Sequence, residues 1–125
     1  MPSPRILLVD DDPQVLDSVQ AALEAMGYQV IVARDGNEGL MRAERDAPAL
    51  VILDMMMPRR SGLAVLERLR SGGQAGPQVI MVSANAEERH RDFAAEHGVA
   101  AFLPKPFEIP ELLEIVQRLV PIQLK

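Results

Sequence analysis

The chain predicts an α/β fold, a doubly wound parallel sheet of five strands with helices on both faces. Three observations carry this. Short apolar runs recur five times, "RILLV", "VIVA", "ALVIL", "QVIMV" and "AAFL", rich in Val, Ile and Leu and bounded by polar or turn residues. Segments with helical spacing lie between them. Strict alternation of the two leaves a parallel sheet with right-handed crossovers as the economical arrangement.

Each element has its own signals. The first helix places Val15, Leu16, Val19, Leu23 and Met26 on one stripe, with Asp12 as N-cap, Pro13 at the first helical position and Gly27 as stop. The second is expected from about Asn37 to Arg45, with Asp35 and Glu38 spaced as a capping box. Ser61 opens a third helix carrying Leu63, Leu66 and Leu69. The fourth, within "AEERHRDFAAEHG", has good helix formers but a thin apolar stripe, with Phe93, Ala94 and His97 as its inward face, and is expected to be the loosest element. The last has Pro110 in its first turn and buries Leu112, Leu113, Val116, Leu119 and Val120.

Bulk composition narrows the function classes. At 125 residues the chain is expected to be one domain, 1–125, with a core over about 5–120 and a tail or linker start at 121–125. Aromatics are few, one Tyr, three Phe and no Trp, so the core is aliphatic. A net charge of −5 without a basic tail opposes direct binding to nucleic acid or an anionic membrane. The absence of cysteine excludes disulfides and Cys-based zinc sites. No apolar run approaches the roughly 18 residues of a membrane span, so a cytoplasmic location is the expectation.

In doubly wound sheets ligands bind beyond the carboxyl ends of the strands. The residues that follow the strands here are Asp10 and Asp11 after the first, Asp54 after the third, Ser83 after the fourth and Lys105 after the fifth. The three carboxylates make a hard oxygen pocket suited to Mg²⁺, with Mn²⁺ also possible. A divalent ion together with the Lys105 ammonium balances their charge. A carboxylate beside such an ion can attack phosphorus and form an acyl phosphate. Asp54, alone at its strand end, is the expected nucleophile. Asp10 and Asp11 form the ligating pair, and Ser83 and Lys105 hold the phosphoryl oxygens.

Four motifs, "LLVDDD", "LVILDMMMP" followed by Gly62, "IMVSAN" and "FLPKPF", together resemble the receiver domain of two-component response regulators from about Arg5 to Leu119. The resemblance implies a flavodoxin-like strand order 2-1-3-4-5. It makes Asp54 the phosphoacceptor and adds the main-chain carbonyl of Met56 to Asp10, Asp11 and Asp54 as a metal ligand. It also makes Ser83 and Phe102 switch residues, Lys105 the phosphoryl-contacting lysine, and Lys105–Pro106 a cis bond. The implied donor is a histidine kinase or histidine phosphotransfer protein. The implied output is an altered surface over the fourth helix, fifth strand and fifth helix, for a partner or a homodimer. On this reading the chain is not a turnover enzyme but a regulator that assists its own phosphotransfer and dephosphorylation. No helix-turn-helix, GGDEF-like or kinase segment follows the last helix, so the chain is either a stand-alone regulator or the receiver of a longer one.

Several features depart from the common pattern or invite a plainer reading. Phe102 offers no phenol oxygen. An apolar Met56, with Asn85, flanks the path of attacking water, and a phosphoryl lifetime of minutes or longer is expected. Arg59 and Arg60 are read as solvated, Met55, Met56 and Met57 as core and loop packing, His90 as exposed, and His97 as a last-turn cation before Gly98. "GGQAG" follows a helix and precedes a strand, the wrong context for a phosphate loop. Two other functions compete. A haloacid-dehalogenase-type phosphatase would use Asp10 and Asp12, but it expects Thr or Val where Gln14 stands and leaves Asp54 unexplained. A pseudo-receiver binding module would usually lack the acceptor, an acidic-pair member or the lysine, and all are present.

Overall fold

In the computed structural model, which describes residues 3–71, 76–85 and 87–122, the chain alternates strand and helix five times. The elements are β1 (Arg5–Val9), α1 (Pro13–Ala25), β2 (Gln29–Ala33), α2 (Gly36–Asp46), β3 (Leu50–Asp54), α3 (Gly62–Arg70), β4 (Gln78–Ser83), α4 (Glu88–Glu96), β5 (Ala101–Pro104) and α5 (Ile109–Leu119). The strands form one parallel sheet in the order β2-β1-β3-β4-β5. The order reverses between β1 and β3, which opens a crevice at their carboxyl ends.

Alternation along the strands divides the core into two layers. Ile6, Leu8, Ile52, Ile80 and Val82 pack with Leu16, Val19 and Leu23 of α1 and Leu112 and Val116 of α5. Leu7, Val9, Val51, Leu53, Val79 and Met81 face the other way, under Ala43 of α2, Val65 and Leu66 of α3, and Ala94 of α4. The central strands are buried on both faces, which is why their sequences are continuously apolar rather than alternating.

The helix starts agree in part with the sequence reading. The Asp12 side chain accepts from the Gln14 amide, that of Asp35 from the Glu38 amide and that of Ser61 from the Ala64 amide. The expected capping box at α2 forms in altered shape. The Glu38 carboxylate accepts from the amide of Arg34, at 2.7 Å, instead of that of the N-cap, and the helix extends one residue further at each end than its spacing implied. In contrast, α4 and α5 begin at Glu87 and Glu108 with no side-chain cap. The thin stripe of α4 buries Ala94 completely and half-buries Phe93 and His97, whose rings stack with centroids 4.2 Å apart.

The far ends of these two helices are held by side chains from neighbouring elements. Arg70, in the last turn of α3, donates from Nε to the carbonyl of His97 (2.9 Å) and from Nη2 to that of Gly98 (3.4 Å). The Tyr28 hydroxyl is bonded to the Val120 carbonyl and to Gln117 Oε1 (2.9 Å), and Gln78 Nε2 donates to the Leu119 carbonyl (3.0 Å). Tyr28 is 3% exposed. Tyr28→Phe therefore leaves a buried carbonyl short of its donor, and a stability loss of about 1–2 kcal/mol is expected in urea titration.

Some expectations need correction. His90 is half-buried, not exposed, because it lies four residues before Ala94 on the same helix face, and its Nδ1 is buried without a hydrogen-bond partner. Met55 is buried and Met57 packs against the second core layer, but Met56 is 56% exposed and packs against neither layer. Arg59 is solvated, with 72% of its side chain exposed, whereas Arg60 is half-buried. Arg59 Nε lies 3.7 Å from Asp35, and Arg60 Nε donates to Asn37 Oδ1 at 3.0 Å, so both tie the loop after β3 to the start of α2. Of "GGQAG", residues 72–75 lie outside the described residues.

Candidate functional site

Strand register brings the site residues together. Val9 pairs with Leu53, so Asp10 and Asp54, each one residue further on, emerge side by side on adjacent strands. Ser83 pairs with Pro104, and the amide of Lys105 then donates to the Ser83 carbonyl at 2.8 Å. The Lys105–Pro106 peptide is cis. Asp10, Asp54 and Ser83 are the buried polar residues among the described ones, at 1%, 4% and 0% exposure, in a core that is otherwise apolar.

Their contacts define an acidic pocket with one internal cation. Lys105 Nζ donates to Asp10 Oδ2 at 2.8 Å and lies 3.4 Å from Asp54 Oδ2. The other oxygen of Asp10 accepts from the amide of Asp12 (2.9 Å), and Asp54 Oδ1 from the amide of Met56 (3.3 Å). Ser83 Oγ accepts from the Asn85 amide at 3.0 Å, and Asn85 Oδ1 in turn accepts from the amide of Glu87, at the start of α4. Asp11 is exposed at the mouth, with a carboxylate oxygen within 4.8 Å of those of Asp10 and Asp54.

Electrostatics show that Lys105 alone does not neutralise this pocket. Burial first, and then the charge of Asp10, push the carboxyl of Asp54 up to about 6, against the opposing pull of Lys105 and the Met56 amide. Burial draws Lys105 down. The hydrogen bond to Asp10 and the charges of Asp54 and Asp10 outweigh that and leave its pKa raised. Two buried carboxylates thus share one ammonium, and a third stands at the opening. Three hard oxygen donors with uncompensated negative charge fit a small divalent cation of the Mg²⁺ type, which binds through few carboxylates and retains waters. Asp12, by contrast, commits a side-chain oxygen to capping α1.

The setting adds features that sequence reasoning did not find. A groove of about 440 Å³ runs beside Lys105, between α1 and the turn into α5, with Val15, Val19, Ala84, Pro106, Phe107 and Ile109 among its lining. Phe102 sits half-buried against the second core layer, and the guanidinium of Arg91 lies over its ring, 4.8 Å from the centroid. The signal available in the sequence was the three-residue offset between Arg91 and the apolar Ala94, which puts them on one face of α4.

Comparison with known proteins agrees with this geometry. Residues 6–117 match the family of the response regulator receiver domain. The chain is 45% identical over 112 residues to the transcriptional activator protein PfeR of Pseudomonas aeruginosa, covering 90% of this chain and 36% of that protein. It is 40% identical over 116 residues to response regulator MprA of Mycobacterium leprae, covering 93% of this chain and 50% of that protein. The chain thus spans about a third to a half of the length of these curated relatives. Among solved structures, a CheY-like receiver domain protein from Methanospirillum hungatei superposes with a TM-score of 0.84 at 34% identity, over 93% of this chain and 92% of that one. The chain belongs to the family of response regulator receiver domains, the modules of two-component signalling.

Proposed function

We propose that this receiver accepts a phosphoryl group on Asp54 from a phosphohistidine of a kinase or phosphotransfer protein, with Mg²⁺ required, and thereby alters a protein-interaction surface. One observation carries the reading. Asp54 is a buried carboxylate at a strand end, 3.4 Å from the ammonium of Lys105 and in reach of two further carboxylates.

In the transfer, the P–N bond of the donor imidazole breaks and an O–P bond to an Asp54 carboxylate oxygen forms, with the imidazole as leaving group. Asp10, Asp11, Asp54 and the Met56 carbonyl would hold the cation, which supplies charge neutralisation between carboxylate and phosphoryl oxygens. Lys105, already steered by Asp10, offers its ammonium to a phosphoryl oxygen, and Ser83 offers its hydroxyl. If Ser83 turns toward the phosphoryl group, the Asn85 amide loses its acceptor, and Asn85 is the residue that holds the amide of Glu87. Occupancy of Asp54 is thereby reported to α4, and the space left by Ser83 admits the ring of Phe102. The exposed, apolar side chain of Met56 offers attacking water no polar guide, in keeping with a long-lived aspartyl phosphate.

The apolar groove beside Lys105 supplies a seat for the donor protein next to the acceptor. Where such a receiver is part of a longer chain, as in relatives of which it spans about a third to a half, its output would be transcriptional control of the kind the activator PfeR is named for. Intact-mass measurement after incubation with Mg²⁺ and acetyl phosphate tests the reading. Gain of one phosphoryl group, absent with EDTA, is expected. No adduct, while a known receiver labels in parallel, would leave a binding module that does not phosphorylate.

A further inference from the structure

The site and its switch do not account for the side chain that covers Phe102. The ring belongs to β5, where Phe102 pairs with Met81 of β4, and it faces the second core layer beneath α4. On that helix Ala94 is the residue buried in the layer, and Arg91, three residues earlier, places its guanidinium 4.8 Å from the ring centroid. The first turn of α4 has no side-chain cap and depends on the Asn85 bond to Glu87. A phenylalanine at this position cannot anchor itself through a hydroxyl, so its placement depends on what stacks on it.

We propose that Arg91 is a positioning residue that clips the N-terminal half of α4 onto the ring of Phe102 and so holds the ring in its resting position. This rests on the switch role given to Phe102 above. The cation over the ring face joins the ring to the first half of a helix that has no side-chain cap. A guanidinium over an exposed aromatic face changes such a local equilibrium by about two- to fivefold. The contact is specific to a planar cation, because Arg stacks on an aromatic face where Lys presents a point charge.

Fluorine NMR on the full chain labelled with fluorophenylalanine reads the ring directly, since Phe93, Phe102 and Phe107 are the three phenylalanines. Amide hydrogen exchange of the same samples reads α4. In Arg91→Ala and Arg91→Gln, the Phe102 resonance is expected to shift and broaden while those of Phe93 and Phe107 stay. Exchange over residues 88–92 should rise about two- to fivefold relative to α3, and Arg91→Lys should recover only part of the difference. An unchanged Phe102 linewidth with unchanged exchange in α4 overturns the proposal. So does a change shared by all three rings, which would make Arg91 a general fold residue. The spectra use unphosphorylated protein, so they decide on the Arg91 contact even if Asp54 never accepts a phosphoryl group.

Discussion

Asp54→Asn is expected to accept no phosphoryl group and, in metal-free buffer at about pH 7.5, to melt at a higher temperature than the wild type. The first outcome follows from losing the proposed nucleophile, the second from linkage. Burial and Asp10 raise the Asp54 carboxyl from 3.8 to about 6 in the folded protein. The native state therefore holds a proton more tightly than the unfolded state, and stability falls as pH rises through that window. Above it, an ionised Asp54 costs the fold on the order of 3 kcal/mol. The amide of Asn removes that cost, which is already net of the pull of Lys105, so a gain of about 1–3 kcal/mol is expected. The gain should shrink as pH falls through about 6 toward about 4, where the native state is protonated, and vanish only below the unfolded value of 3.8. Added Mg²⁺ should stabilise the wild type and do much less for the variant. Thermal melts of the two proteins from about pH 4 to pH 8, with and without Mg²⁺, check the sign. A variant less stable than the wild type at neutral pH without metal would mean that Lys105 already neutralises the pocket.

Gly62→Ala is expected to be among the most damaging single changes outside the acidic pocket. A Cβ at residue 62 would fall 2.1 Å from the Asp54 carbonyl oxygen and 2.8 Å from the Met55 Cα. Those are backbone atoms, and they cannot swing aside as a side chain can. The same segment is fixed by the Gly62 amide donating to the Met55 carbonyl at 2.8 Å. An added methyl therefore has to displace the chain that carries Asp54, at a cost of about 3 kcal/mol or more. Phosphoryl labelling should fall with it, because the acceptor is moved. Gly98→Ala is the control. Gly98 has φ +74, but a Cβ there meets nothing nearer than Arg70 Nε at 3.8 Å, so the expected cost is only the left-handed strain of about 1–2 kcal/mol. Chemical denaturation of both variants measures the contrast.

Much of this was legible in the chain itself, for identifiable reasons. Buried parallel strands must be apolar on both faces, so "LVIL" and "QVIMV" could hardly be read otherwise. The starts of α1, α2 and α3 were legible because Asp12, Asp35 and Ser61 cap by short-range bonds to backbone two or three residues away. Pattern reading weakened where a contact joins distant segments. Nothing local reveals that Arg60 reaches Asn37 or that Arg70 holds the end of α4, and the offset of Arg91 from Ala94 gives their shared face but not the ring that Arg91 covers. His90 was misread because α4 is so polar that its inward face is set by one alanine. The site itself was legible as a set of residue types after strands. Which carboxylate lies deep and which at the mouth was not, because burial depends on the neighbouring strand and not on the residue's own segment.

The uneven capping of the helices has a mechanical meaning. Three helices are stiff where they meet the site edge, each with a side-chain cap there. In α4 and α5 the arrangement is reversed, with soft starts at that edge and remote ends bolted down by Arg70, Tyr28 and Gln78. Each of these two therefore behaves as a cantilever, fixed at the edge of the sheet away from the carboxylates and compliant beside them. A force applied at the carboxylates would bend the free ends and leave the roots in place. On the proposed function, motion would be confined to one corner of the domain, while the rest of the sheet keeps its register.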